Sequence, residues 1–420
     1  MFKIMASLLL IGLICSPVFT QQGKYDDLNI DKILTMPEED IDLGIACLVL
    51  AKDAYPNLNI QRFDNILNFM ALRINLLMQG NTVPEARIGM MNTFLYRSGP
   101  WNDSLTFTYD LDDLEANQKN NQYLNGYLAT RKGSCITMPM LHLVLADRLG
   151  WPMQAVRSPK HFFIRYVDAN LPDGNVEATC GGGYVATERY ITDTNIPEQA
   201  IKNGVYLRTL SKKEYIASLL INNARHYHER EQNLEKAMNY TAMAISIDST
   251  FSSGYWNMGH YYYFYAQKLE IEMLSELEIA NMMFTKPTQP WEQNIPNPSP
   301  YSNTNSLREA MKLPEPPKPS LFPPGYKPSS TLADLPHHNT PPQQSLTLQE
   351  QQQRAIQKDN AEIFRSSVRA KCVPQIKEAL ARSDWYINKA KELGIVTKFP
   401  EEFFLKQAES IEKFKKTGEF

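Results

Sequence analysis

Fifteen of the chain's 27 prolines fall between residues 285 and 345, among many Asn, Ser and Gln and few large apolar side chains. Proline fixes φ and lacks an N–H, so this span can neither continue as helix nor sit inside a sheet, and its composition cannot bury a core. The 420-residue chain is therefore expected to place most of its folded mass before residue 285, with a smaller helical region over 346–420. The Pro-x-x-Pro spacings and His337-His338 inside the span read as linker. It interrupts helical sequence on both sides, as an insertion inside a helical array would.

The first residues are set apart too. Lys3 precedes an uncharged apolar stretch, Ile4 to Ile14, that ends at Ser16-Pro17, the pattern of a secretory signal peptide over residues 1–20. A spanning helix needs about 20 apolar residues; this stretch is shorter and nothing later is longer. The expectation is an extracytoplasmic chain, secreted or periplasmic, with no integral membrane segment once the signal is removed. Cys15 belongs to the signal core, because Gly12-Leu13-Ile14 lacks the small residue that a lipoprotein signal sets directly before its cysteine. Removing Lys3 and no acid takes the formal charge from -3 to -4, which argues against a nucleic-acid partner. The remaining cysteines, 47, 135, 180 and 372, are too sparse for a disulfide scaffold and point to a working thiol.

Periodicity divides the rest. Ile41, Ile45, Leu48 and Leu50, then Ile66, Phe69, Leu72 and Leu76, predict two amphipathic helices separated by Tyr55-Pro56-Asn57. Ile88, Met91 and Leu95 predict a third over 84–96, and Ile136, Met140, Leu141, Val144 and Leu145 a strongly apolar one ending at Leu149-Gly150. After Trp151-Pro152 the period becomes two. Phe162, Ile164 and Tyr166 share one strand face and His161, Phe163 and Arg165 the other; over 175–179, Val176 and Ala178 oppose Asn175, Glu177 and Thr179. Leu171-Pro172-Asp173-Gly174 predicts a turn and an antiparallel pair, with Gly181-Gly182-Gly183 ending the second strand. Beyond Leu210 a weak 34-residue repeat aligns Ala224, Arg225 and His228 with Met258, Gly259 and Tyr262; Ala237 and Ala244 are small residues seven apart.

Gly133-Ser134-Cys135 stands just before the apolar helix, and Pro139 confines that helix start to about one turn around the cysteine. A helix start favours thiolate, the reactive form of a thiol. If His161 and Glu177 lie opposite each other on paired strands, their Cβ atoms stand about 5 Å apart, where a carboxylate can fix an imidazole tautomer. Cys180 has the other parity from Glu177, which disfavours a disulfide with Cys135. Arg165 has two readings: a surface charge or an ion pair with a neighbour such as Asp168, or a planar clamp for a substrate carboxylate. Cys and His at metal-ligand spacing are not seen near carboxylates, and no Gly-Lys-Ser or Gly-Lys-Thr follows the glycines; the reading has no cofactor and no metal.

Ala51-Lys52-Asp53-Ala54-Tyr55-Pro56, Asn120-Asn121-Gln122-Tyr123-Leu124, Arg131-Lys132-Gly133-Ser134-Cys135, Leu149-Gly150-Trp151-Pro152, Lys160-His161-Phe162 and Asn175-Val176-Glu177-Ala178-Thr179 resemble the transglutaminase-like superfamily of papain-type folds, and within it the SirB-type N-terminal domain. The resemblance covers about residues 40 to 200. It implies an α+β fold: a transglutaminase/papain-like domain with an N-terminal helical lobe over 21–205, then α-helical tetratricopeptide-like helices over 206–284, the linker over 285–345 and a C-terminal helical region over 346–420. It also implies Cys135 as nucleophile, His161 as base and Glu177 as orienting acid. The acid departs from the more common Asp, and many SirB-type members lack the cysteine.

The expected function is a thiol enzyme acting on an amide bond of a protein or peptide substrate, by hydrolysis or by acyl transfer to an amine. The Cys135 N–H would hold the oxyanion, with a second donor from the segment around Tyr123. The alternative is an inactive interaction scaffold that binds a protein partner on its tetratricopeptide-like helices.

Overall fold

The computed structural model describes residues 24–171, 173–284 and 347–398, with 409, 412, 413 and 416. The expected signal (1–20) and Pro-rich span (285–345) lie outside the described residues. The described chain is mostly helical, with two small sheets.

Helix α1 (Ile30–Thr35) leads to α2 (Leu43–Ala51), where Asp42 accepts the Ile45 N–H at 2.9 Å as N-cap. Every residue of α2 is buried, so it is a central core helix and not the amphipathic one expected, its sequence being apolar all round. Helix α3 (Ile60–Met78) buries Ile60, Asp64, Leu67, Ala71, Ile74 and Met78. Phe69, Leu72 and Leu76, expected on its core face, are 56%, 55% and 65% exposed. The helix is apolar on two sides, and Asp64 decides between them: Tyr25 donates to it at 2.7 Å and Arg148 pairs with it at 2.7 Å, partners found only on the inward side. Helix α4 (Pro84–Tyr96), with proline in its first turn, buries Met91, Phe94, Leu95 and Tyr96.

Strand β1 (Thr108–Tyr109) pairs in parallel with β2 (Lys132–Gly133), with α5 (Leu124–Thr130) between them in the chain. Helix α6 (Thr137–Arg148) is buried from Thr137 to Ala146. At its far end Asp147 accepts the Leu43 N–H at 3.0 Å and pairs with Lys212 at 2.6 Å, which fixes α6 against α2 and the segment at Lys212. The second sheet has the order β3-β4-β5: β3 (Met153–Ser158), β4 (His161–Tyr166) and β5 (Asn175–Val176), all antiparallel. Strand β3 is an addition to the expected pair, and β5 is shorter than expected because residues 178–180 turn as a 3-10 helix.

Helices α7 (Thr187–Thr194) and α8 (Glu198–Lys202) precede α9 (Lys212–Glu229) and α10 (Leu234–Ile247). Ser211 and Glu214 form a capping box at the start of α9. Asn223 of α9 donates to the Leu50 carbonyl and to Asp53, both at 2.9 Å. Ala237 and Ala244 of α10 are fully buried, allowing close helix approach. Among the described residues, 24–254 and 391–398 fall in one compact unit, which runs past residue 205.

The described residues of the second unit, Tyr255–Ala390, lie in α11 (Ser252–Phe284) and α12 (Leu348–Leu393), apart from Thr347. Ala266, Leu269, Met273 and Leu277 pack against Val368, Cys372, Ile376 and Ala379. A Cβ on Gly259 would stand 2.5 Å from the Ile387 side chain and 3.0 Å from the Ser383 carbonyl, so the close approach requires glycine. Helix α11 is one helix of 33 residues, and its sequence after Gly259 has no glycine or proline to interrupt it.

Candidate active site

The site begins at a close backbone approach. A Cβ on Gly133 would lie 2.5 Å from the Tyr127 ring, so only glycine fits. Ser134 Oγ donates to the Asn121 carbonyl at 2.6 Å and accepts the Ile136 N–H at 3.0 Å, while the Ser134 N–H donates to Thr137 Oγ1 at 3.0 Å. These bonds hold the chain as it turns into α6, whose N-cap is Ile136. Cys135 therefore sits immediately before the helix, and Pro139 is the third helical residue, as the sequence predicts.

Cys135 is half-buried, whereas Cys47, Cys180 and Cys372 are buried; all four are free thiols. Burial, aided by Glu177, pushes Cys180 up to about 12, and burial also raises Cys47 and Cys372. The Cys135 thiol donates to the Lys160 carbonyl at 3.7 Å. Lys160, at φ +53°, lies in the turn between β3 and β4, whose register pairs Ser158 with His161. The hairpin turn thus brings His161 to the cysteine.

His161 Nε2 lies 2.8 Å from Glu177 Oε2, and both side chains are buried. The β4–β5 register pairs Ile164 with Val176 and Arg165 with Asn175, so the next position opposite Glu177 is Phe163 and not His161. The predicted shared face holds; the predicted direct opposition does not. Glu177 reaches diagonally because it leaves the strand to start the 3-10 turn. Its Oε1 accepts the Thr179 hydroxyl at 2.6 Å and the Thr179 N–H at 3.1 Å, and its Oε2 also accepts the Tyr190 hydroxyl at 2.7 Å. Tyr190 stacks on Phe163 at 4.0 Å. The glycine run curls back beneath: the Glu177 N–H donates to the Gly183 carbonyl at 2.8 Å, and Gly181 and Gly182 have φ of +69° and +80°.

Burial opposes the charge on His161, but the Glu177 carboxylate and the Cys135 thiol outweigh it and push the imidazole up to about 10. Burial likewise opposes the charge on Glu177, and the His161 imidazolium with the Thr179 and Tyr190 hydroxyls holds it below the usual carboxylate range. With Nε2 on Glu177, Nδ1 has no hydrogen-bond partner.

Two expected site residues lie elsewhere. Arg165 donates to Asn175 Oδ1 at 2.9 Å, the Leu207 carbonyl at 3.1 Å and Thr187 at 3.4 Å. Its fork joins β4, β5 and α7 in this structure, and its hydrogen bonds do not include Asp168. Tyr123 is buried against Ala51 and Ala54, and its hydroxyl donates to the Asn222 carbonyl at 3.4 Å. The sequence reading placed Thr179 on the face of Glu177 without giving it a role, and did not name Tyr190. A hydroxyl two residues after a carboxylate is a local signal for Thr179, whereas nothing in the sequence near Tyr190 marks a tertiary contact. Among the described residues no group of three His, Cys, Asp or Glu could hold a metal ion.

Residues 62–220, which contain Cys135, His161 and Glu177, match the family described as the transglutaminase-like superfamily. Two curated relatives, the UPF0162 proteins of Xylella fastidiosa strains Temecula1 and 9a5c, are each 23% identical over 135 residues, 32% of this chain and 45% of the relative. The match thus spans about half the length of those relatives. No solved structure matches the chain. Residues 62–220 are a domain of the transglutaminase-like superfamily.

Proposed function

We propose that this domain is a cysteine-dependent enzyme acting on amide bonds of peptides or proteins, with Cys135 as nucleophile, His161 as acid–base and Glu177 as the acid that orients it. The observation that carries this reading is the buried His161 Nε2–Glu177 pair, next to the turn whose Lys160 carbonyl accepts the Cys135 thiol. Cys135 gives its proton to Nδ1, and the sulfur attacks the carbonyl carbon, forming a tetrahedral oxyanion. Nδ1–H then protonates the leaving amine as the C–N bond breaks, leaving a thioester. Water attacks the thioester, its proton passing to Nδ1, and collapse releases the acid; an amine in place of water gives a new amide. Hydrolysis is the default, since bulk water is the standing competitor unless the site excludes it. Glu177 stays ionised throughout and fixes the tautomer. An extracytoplasmic setting is part of the proposal and rests on the pattern of residues 1–20.

The test is labelling of the full chain with an electrophilic amide probe. Cys135 should carry the label, and Cys135→Ala should abolish it and His161→Ala should slow it. Equal labelling of the described cysteines, or indifference to His161→Ala, would favour the scaffold reading. That second reading draws on α11, where Ile279, Met282 and Met283 are exposed apolar residues, a surface suited to a protein partner.

A further inference from the structure

The acid beside His161 is a glutamate, with one more rotatable bond than an aspartate to be fixed before its carboxylate can face the imidazole. Thr179 holds one oxygen: its hydroxyl and its N–H donate to Oε1 at 2.6 and 3.1 Å. A single held oxygen leaves the carboxylate free to swing about that point. The other oxygen, Oε2, lies 2.8 Å from His161 Nε2 and accepts the Tyr190 hydroxyl at 2.7 Å. Tyr190 is buried, and its ring is itself fixed. It lies parallel to Phe163, with centroids 4.0 Å and planes 7° apart, and stacks on His161 at 6.2 Å and 26°. Helix α7, which carries it, is tied to the same sheet through Thr187, whose hydroxyl accepts Asn175 Nδ2 at 2.9 Å and donates to Asp173 Oδ1 at 3.1 Å. The strand that presents His161 therefore also seats, through Phe163, the phenol that meets its carboxylate.

We infer that Tyr190 is a positioning residue for the triad, giving Glu177 a second fixed point so that, with Thr179, it sets the carboxylate plane in which Oε2 faces His161 Nε2. This deepens the reading proposed above and rests on it. Burial, with the Glu177 carboxylate beside it, raises the phenol well above its ordinary value, so the group stays an O–H donor at any working pH and passes no proton. Without that donor the carboxylate turns about Oε1 and its bond to Nε2 lengthens. The buried imidazolium then loses part of the charge that offsets its burial. Cys180, Tyr96 and Tyr109, the other groups that feel the Glu177 charge, are raised by burial and stay neutral through the titration of His161.

Two readouts on the full chain separate this role from mere packing. The first is the titration of His161, followed by NMR on isotope-labelled histidine and assigned by the signal that His161→Gln removes. The second is acylation of Cys135 by 4-nitrophenyl acetate, followed as a nitrophenolate burst. Tyr190→Phe keeps the stacked ring and removes only the hydroxyl; it should lower the His161 midpoint by about one pH unit and slow the burst by up to about 10²-fold. 4-Aminophenylalanine at position 190, a weaker donor in the same place, should fall between the two. A tyrosine that only packs would change the melting temperature and leave the midpoint where it is. An unchanged or raised midpoint in Tyr190→Phe, or an aminophenylalanine chain no closer to the native one than the phenylalanine chain, overturns the proposal. Should Tyr190→Phe not fold, the aminophenylalanine chain decides alone, and a native midpoint with a native burst counts against the idea. A burst that survives Cys135→Ala in full removes the thiol-enzyme reading itself, whatever Tyr190 does.

Discussion

Four hydrogen bonds converge on the two oxygens of Glu177, three of them from side chains and one from the Thr179 backbone. The pH behaviour of the fold follows from this carboxylate and its imidazole. His161 is raised from 6.5 to about 10, so its contribution is complete below pH 6.5 and is lost as pH rises through about 10. Glu177 is lowered from 4.5, so its contribution is present above pH 4.5 and is lost as pH falls through the depressed value. Urea unfolding across pH should therefore show a plateau with an acid and an alkaline shoulder, and Glu177→Gln should flatten both; a variant curve parallel to that of the native chain would contradict the linkage. Arg165→Lys should lower stability by about 1–2 kcal/mol, because lysine cannot reproduce a fork shared among Asn175, Leu207 and Thr187. Cys135 labelling should be unaffected. The shared face of His161 and Glu177 was legible in the sequence because period-two alternation sorts side chains to faces without knowledge of register. The register was not: the path from Val167 to Gly174 and the 3-10 turn after Glu177 set it, and neither follows from alternation.

Strand β3 shows why an element can pass unnoticed. Of its six residues only Gln154 is exposed, so polar Arg157 and Ser158 face inward and blur the alternation that marks a one-sided strand. Arg157 pairs through Nη2 with the buried carboxylate of Asp248, a partner 91 positions away that no local pattern reveals. Helix α3 failed differently, since its two apolar faces were equivalent by composition and buried Asp64 chose between them. The glycine run carries the prediction at this scale. A Cβ on Gly182 would lie 1.8 Å from Asn92 Oδ1 at a φ of +80°, so Gly182→Ala should destabilise by about 1–3 kcal/mol. It should also slow Cys135 alkylation, since the loop carries the backbone partner of Glu177. An alkylation rate equal to that of the native chain would show that the loop and the triad are uncoupled.

At the scale of the molecule, each unit has its own core. Gly259→Leu should melt the α11–α12 pairing at lower temperature, read as loss of helical circular dichroism, with Cys135 labelling at lower temperatures unchanged; concerted loss of both would refute that independence. The helical character of residues 206–284 and 346–393 was legible from composition, whereas the uninterrupted length of α11 was not, because a 34-residue periodicity suggests a turn that the chain has no residue to make. The buried cysteines have a further use. Cys47 lies in α2 of the first unit and Cys372 in α12 of the second, both free and shielded. A thiol reagent that has already consumed Cys135 can reach either only when its own unit opens, so the order in which the next mass tags arrive is a built-in stopwatch for each half of the protein.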